Sequence, residues 1–397
     1  MPLIRLLVLI TSFCFAGNCN AQVTLLGVGS LPGDMSDLSG LTGNQSDGTP
    51  HNRLGGMGSA IDYTGQGNSY VLASDRGPKD GATDYACRYH RMDIVVTPAN
   101  GKVEIQLTGT TLLRDEKDRP FLGLLSAFNA NYPDDSLRLD PEGVRVGPDG
   151  HLFIADEYGP YLYEFHPSGK RVRSFRLPEK FLPSVIAAKP ELEMPPHNKK
   201  GRQPNRGMEG LAISPDGSTL VGIMQSPLIQ DGGLDANNKR VGVNCRILAL
   251  NRLTGDTREW VYRLDSGSHG ISEILAVDAK RYLVLERDSK GGTETKCKKI
   301  FLINTEDASD VGQVESLPSD QLPAEIKPVQ KKLLLDMLDT RFGLPVQDFP
   351  EKIEGLAFGP DLPDGRKLLI VTADNDFIET APFRVYAFAI EPHALMK

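Results

Sequence analysis

The sequence predicts an all-β protein, a β-propeller of four-stranded antiparallel blades with long loops on one face. Two features of the 397-residue chain carry that expectation. A pattern of short strand, turn and second strand recurs in five units along the chain. Each unit then runs into a third apolar strand and usually into a fourth. A period built from short strands and turn residues marks a repeat architecture, and four-stranded antiparallel units repeated around an axis make a propeller.

Taken in order, the first unit is the faintest: GGMGSAIDYTGQGNSYVLASDRGP, then RYHRMDIVV. The second reads LDPEGVRVGPDGHLFIADEYGPYLYEF and continues into RVRSFRLP. The third is GMEGLAISPDGSTLVGIMQSP with CRILALN and REWVYRL, and the fourth is GISEILAVDAKRYLVLERDSK with KKIFLIN. The fifth, KIEGLAFGPDLPDGRKLLIVTADNDF with FRVYAFAI, lacks a fourth strand, while VTLLGVG at Val23 to Gly29 lacks a partner. These two are expected to join and close a ring of five blades; a sixth blade assembled from the long connections is the alternative. With Gly58, Glu142, Glu209, Glu273 and Glu354 as markers, the spacings are 84, 67, 64 and 81 residues.

The start, MPLIRLLVLITSFCFAGNCNAQ, holds one Arg, an apolar run from Leu6 to Ala16 and a small residue at Ala21. A membrane span needs roughly 18 to 20 apolar residues, so residues 1–21 read as a cleaved signal peptide and 22–397 as a single domain. A periplasmic or secreted protein is expected, without a membrane span. The net charge of −8 and the lack of a basic block argue against nucleic acid as a partner, though not against a small anionic substrate. Nothing in the pattern calls for an oligomer, and a monomer is expected. Beyond residue 21 three cysteines remain, Cys87, Cys245 and Cys297. Cys245 and Cys297 each precede the third strand of neighbouring units and are the candidate disulfide, with three isolated thiols as the alternative. Segments 31–54, 115–140, 179–208, 225–244, 305–328 and 338–352 are connections; EKFLPSVIAAK in the third is a short helical candidate.

In an antiparallel meander the first strand leaves one face of the disc and the second returns to it. Glu142 is therefore expected beside Asp156 and Glu157, with Glu209, with Glu273, Glu286 and Asp288, with Glu354, Asp374 and Asp376, and with Asp75 of the first unit. First strands line the channel of a propeller, so these acids should ring one mouth. Like charges at close range raise one another's pKa unless compensated. Arg76, Arg206 and Arg287 lie on the same loops, and a hard cation with oxygen ligands, Ca²⁺ above all, suits such a ring. Acids followed by Gly also close turns, so any one of them taken alone is as readily structural.

No G-x-S-x-G, H-E-x-x-H, C-x-x-C or G-x-x-x-x-G-K-[ST] occurs, which sets aside the commonest serine, zinc and nucleotide sites. The series DRGP, DPEG, DEYGPYLYEF, NRGMEGLAISPDG, LVLERD, EGLAF and TADNDF, in that order, resembles the phytase-like family, also described as esterase-like activity of phytase. The likeness runs from about Gly55 to Ile390. It implies an exported protein with phosphoester hydrolysis by Glu and Asp residues, and points to Asp75 with Arg76, Glu142, Asp156 with Glu157, Arg206 with Glu209, Glu286 to Asp288, Glu354, and Asp374 to Asp376. Two units depart from the acidic pattern, at Gly58-Ser59 and at Gln225-Ser226.

Two functions stay open from sequence. One is a metal-assisted phosphoester hydrolase, with Asp75, Arg76, Arg206, Glu209 and Arg287 as catalytic candidates, and Glu209 together with the remaining acids as ligands of calcium. The other is a non-catalytic exported propeller whose acids hold a structural ion.

Overall fold

The computed structural model describes residues 22–129, 131–132, 135–159 and 161–396. The expected leader, 1–21, lies outside them. Strand β1 (Val23–Leu31) opens the chain. Blade one is β2 (Ala60–Tyr63), β3 (Ser69–Ala73), β4 (Arg88–Thr97) and β5 (Lys102–Leu112). Blade two is β6 (Pro141–Val146), β7 (Leu152–Asp156), β8 (Tyr161–Phe165) and β9 (Arg171–Arg176). Blade three is β10 (Met208–Ile213), β11 (Thr219–Met224), β12 (Asn244–Asn251) and β13 (Thr257–Arg263). Blade four is β14 (Gly270–Ala276), β15 (Arg281–Arg287), β16 (Lys298–Asn304) and β17 (Gln330–Asp336).

Blade five holds β18 (Ile353–Phe358), β19 (Lys367–Ala373) and β20 (Phe383–Ile390), and its fourth place is filled by β1. The expected closure holds: Val23 pairs with Ile390 and Leu31 with Phe383, antiparallel. The ring has five blades, and the sixth-blade alternative falls away. The connections stay irregular; EKFLPSVIAAK keeps only a single 3₁₀ turn, Glu179–Phe181, because Pro183 interrupts it.

Side chains in a strand alternate between its two faces, and here both faces are covered. On β7, Leu152 and Ile154 pack with blade one, while Phe153 and Ala155 pack with blade three. The same division gives one apolar layer between blades three and four, one between four and five, and one between five and one. This explains why the second and third strands read as continuous apolar runs and not as alternations. Removing a buried Leu or Ile from such a layer costs about 2–5 kcal/mol, so the rigid frame around the channel is well determined.

The expected Cys245–Cys297 bridge does not form. All three cysteines are free and buried. Each of the two thiols turns onto its own blade, Cys245 towards the Gln225 carbonyl and Cys297 donating to that of Glu286 at 3.5 Å. No helix among the described residues is long and apolar enough to cross a membrane.

Candidate functional site

The mouth of the channel is built from irregularities in the first strands. Pairing of β6 with β7, β10 with β11 and β18 with β19 skips at Glu142, Glu209 and Glu354, so each acid sits in a β-bulge. A bulge turns a side chain out of the ladder, and these three turn to the axis. The glycine after each is required by close approach. A Cβ on Gly143 would stand 2.8 Å from the Leu211 amide nitrogen, and one on Gly210 2.7 Å from that of Ile274. In blade four the skipped residue is Ser272, and in blade one Ser59 precedes the strand at the same level. Both serines join the network at the mouth: Ser59 Oγ donates to Glu354 Oε2 at 3.3 Å, and Ser272 Oγ accepts from Arg287 Nε at 2.8 Å.

Around the bulges the ends of the second strands add further charge. Carboxylate oxygens of Asp75, Asp140 and Glu142 lie within 4.8 Å of one another, as do those of Asp75, Asp374 and Asp376. Arg76 holds one side: its Nη1 pairs with Asp140 and reaches Glu157 Oε2 at 3.4 Å, its Nη2 meets Asp80 at 2.9 Å, and the guanidinium lies 4.8 Å from the Tyr158 ring centroid. Lys352 holds the other, with its Nζ 3.4 Å from Asp75, 3.7 Å from Asp374 and 2.8 Å from Asp376. Glu209 accepts from Gln225 Nε2, which stands where blade three lacks an acid. Arg287 Nη2 pairs with Glu354 at 2.6 Å.

These cations do not balance the acids. Burial first, then Glu209, Asp75, Asp140 and Glu354, push the Glu142 carboxyl well above its ordinary range. Glu142 accepts no hydrogen bond and enters no ion pair among the described residues, although it is 93% buried, its exposure being 7%. Glu209 is raised by burial and by Glu157 and Glu354, against Arg287 and Arg206. Asp140 is raised by burial in spite of Arg76. Burial, opposed by Lys352, lifts Asp374 to about 8. Asp75 goes the other way: burial opposes its charge, but Lys352, Arg76 and two hydrogen bonds outweigh it. The mouth therefore favours the uptake of positive charge, as protons or as a cation.

Two guanidinium groups here are unpaired. Neither Arg206 nor Arg240 makes a side-chain hydrogen bond or salt bridge among the described residues. Burial, then the charge of Arg240, lowers Arg206 to about 10, with Glu209 acting against that shift. A guanidinium without an acid partner beside a carboxylate cluster is a ready receptor for an anion that carries its own cation.

Four residues expected at the mouth lie elsewhere. Glu273 pairs in the register of Gly143 and Gly210, one place beyond the bulge; a one-residue step moves a side chain to the other face. It points down the channel, accepts from the amides of Leu211 and Ile274, and meets Arg145 Nη2 at 3.0 Å. Arg145 also donates to the carbonyls of Ile61 and Ile274, so this pair plugs the channel below the mouth. Glu286 alternates with Arg287 and faces blade three, where Tyr262 donates to it at 2.8 Å; His269 of the following loop binds it at 2.8 Å and Lys331 of its own blade at 2.7 Å. Asp288 organises its own loop, accepting from Lys298 Nζ, Thr295 and the amides of Lys296 and Cys297. Asp156 caps its turn, taking the amides of Asp140 and Tyr158 on Oδ1, both at 3.1 Å.

Asp140, Lys352 and Arg240 were not foreseen. The first two have a signal in the sequence, since both stand two residues before a bulged acid, in DPEG and KIEG. Arg240 has none; its long loop brings it over the mouth.

The phytase-like family, described as esterase-like activity of phytase, matches residues 52–377. An uncharacterized secreted protein of Arthroderma benhamiae is 29% identical over 68% of this chain, and the match spans 64% of that protein's length. Among solved structures, the tail fiber of Staphylococcus aureus phage P68 aligns over 95% of this chain and 55% of its own, at 10% identity and a TM-score of 0.39. The Cps50 (Swd1) β-propeller domain of Myceliophteria thermophila aligns over 85% and 97%, at 10% identity and a TM-score of 0.36. Neither structure is similar enough to bear on what this chain does.

Proposed function

Given that the chain belongs to the phytase-like family, described as esterase-like activity of phytase, we propose that it is an exported, metal-assisted phosphoester hydrolase acting at the open mouth of the channel. The observation that carries this reading is one juxtaposition: Glu142, buried and unpartnered within a carboxylate cluster, and Arg206, a guanidinium with no acid paired to it, near the Glu209 bulge. The first wants a cation and the second an anion, and a metal-bound phosphate ester supplies both.

The donor set fits a hard cation, with Asp75, Asp140 and Glu142 as its nearest oxygens and Asp374 and Asp376 beside them. When bound, calcium would neutralise the phosphate and polarise a water for attack. Arg206 and Arg240 orient the phosphate by forked hydrogen bonds, and Arg76 and Arg287, fixed by Asp140 and Glu354, set the field around it. Glu209, its carboxyl raised by burial and by Glu157 and Glu354, is the group placed to exchange a proton with the attacking water. The plug of Arg145 and Glu273 leaves this mouth as the working face. The substrate class is a small phosphate ester and the working form a monomer; the leader and the name of the secreted relative support export, to the periplasm or beyond.

The test is hydrolysis of a chromogenic phosphodiester and of phytate by purified protein, with calcium and then with chelator. Turnover that depends on calcium supports the reading. Its absence on every ester, with calcium still bound, favours the second reading of a non-catalytic exported propeller, for which the ion pairs of Lys352 and Arg287 already speak.

A further inference from the structure

The channel also has a far end, on the face opposite the mouth. Each first strand finishes four residues beyond its acid or serine at the mouth, at Tyr63, Val146, Ile213, Ala276 and Phe358, one from each blade. At about 3.3 Å per residue, that level lies about 13 Å below the mouth. All five side chains are half-buried and line a cavity of about 470 Å³. The mouth is ringed by carboxylates, whereas this end is ringed by carbon. Arg145 forms its roof and is committed elsewhere, to Glu273 at 3.0 Å and to the carbonyls of Ile61, Val144 and Ile274.

One acid stands within this ring. Asp62 lines the cavity, is half-buried, and occupies in blade one the position that Arg145 holds in blade two. Its Oδ2 accepts the Val146 amide at 2.8 Å, while its Oδ1 meets no donor of ordinary geometry and keeps accessible surface. No cation pairs with Asp62 among the described residues; Arg145 gives its ion pair to Glu273. Burial raises the Asp62 carboxyl in spite of Arg145 and the amides of Val146 and Tyr63, so positive charge brought beside it would be stabilising. A bare metal ion does not fit, since it needs about six oxygens and apolar walls supply none. A cation that carries its own apolar surface does fit, and the aromatic rings of Tyr63 and Phe358 in the same wall attract it. The volume is that of a small-molecule pocket.

We propose that this cavity binds a small quaternary ammonium compound, its charge beside Oδ1 of Asp62 and its alkyl groups against Tyr63 and Phe358. The site owes nothing to the chemistry at the mouth and stands whether or not the mouth is catalytic. Calorimetric titration with choline, and with its uncharged isostere in which carbon replaces the nitrogen, tests it at pH 8. Wild-type protein should bind choline about tenfold more tightly than the isostere, the ratio expected for a largely desolvated cation among aromatic rings.

Asp62→Asn keeps an acceptor for the Val146 amide but removes the charge, and Phe358→Leu keeps an apolar wall but removes a ring. Each should shrink the preference for choline by at least about threefold. Ile213→Trp, at a half-buried wall position, fills the cavity and should abolish binding of both compounds with the circular dichroism spectrum unchanged. Glu142→Gln, at the mouth, should leave the preference intact, which separates this end of the channel from the acids above it. Equal affinity for the two compounds, an Asp62→Asn or Phe358→Leu protein that keeps the full preference, loss of it in Glu142→Gln, or no binding by the wild type each overturns the proposal.

Discussion

Nη2 of Arg287 lies 2.6 Å from Oε1 of Glu354, while Nε of the same guanidinium donates to Ser272 at 2.8 Å. One side chain thus ties the bulge of blade four to that of blade five. Both partners are buried, so removal of one leaves an uncompensated charge. Arg287→Met is expected to lower the unfolding free energy by about 3–5 kcal/mol. Urea denaturation in chelator checks it, and a loss under about 1 kcal/mol would show that solvent or protonation relieves Glu354.

The channel plug makes a different prediction, because its two members can be removed together. Arg145→Met and Glu273→Gln should each destabilise by about 3 kcal/mol or more, whereas the double variant should recover part of the sum. Recovery will be incomplete, since the carbonyls of Ile61 and Ile274 also lose their donor. Strict additivity in the double-mutant cycle would mean that the pair is not coupled.

Stability against pH should run opposite to the common trend. Glu142, Glu209, Asp140 and Asp374 have raised folded-state pKa values, that of Asp374 about 8, so the folded chain holds protons that the unfolded chain releases. Their contribution is fully present below the unfolded values near 4 and is lost as pH rises towards 8. In chelator the melting temperature should fall between pH 5 and pH 8, roughly. Calcium should reverse this, with its stabilising effect growing as pH rises because it competes with protons. A melting curve that ignores calcium at pH 8 would return the acids to a purely structural role.

Glu142→Gln isolates the ion. It removes the charge from an unpartnered carboxylate, so apo stability should be unchanged or higher while the calcium-dependent rise in melting temperature shrinks. An undiminished calcium response would place the ion away from Glu142.

Arg206→Lys isolates the anion. The charge remains but the fork is lost, and kcat/KM for a phosphoester should fall at least tenfold. Since Arg206 forms no ion pair, the melting temperature should barely move. Intact activity with a lowered melting point would assign Arg206 to structure.

The blades were legible because burial on both faces writes each inner strand as an apolar run, and because the open fourth place of the last unit matched an orphan strand at the start. The bulged acids were legible through the glycine that follows them. Legibility ended where one residue of register matters. Glu273 belongs to the fourth unit's glycine position, and only the Ser272 bulge reveals it. Glu286 and Arg287 are adjacent in sequence, yet strand alternation sends them to opposite sides of a blade. Lys352, Asp140 and Arg240 do not repeat from unit to unit, so a search for recurrence passes over them.

The pairing of β1 with β20 has a bearing on how the chain reaches its final form. The Glu391 amide bonds to the Gln22 carbonyl, so the first and last strands meet at adjoining ends. A ribosome releases Val23 long before Ile390 exists, and until then β1 has no partner strand and presents an open edge. Such an edge invites pairing with another chain. The latest contact to form spans nearly the whole sequence, the kind of closure that slows folding. A short linker between the ends, with the chain reopened at the exposed turn around Gly365, would turn this last encounter into a local hairpin. Since the cut parts β18 from β19, the long-range closure moves to that pair, and refolding of the permutant should keep a similar rate while the native ring stays the same.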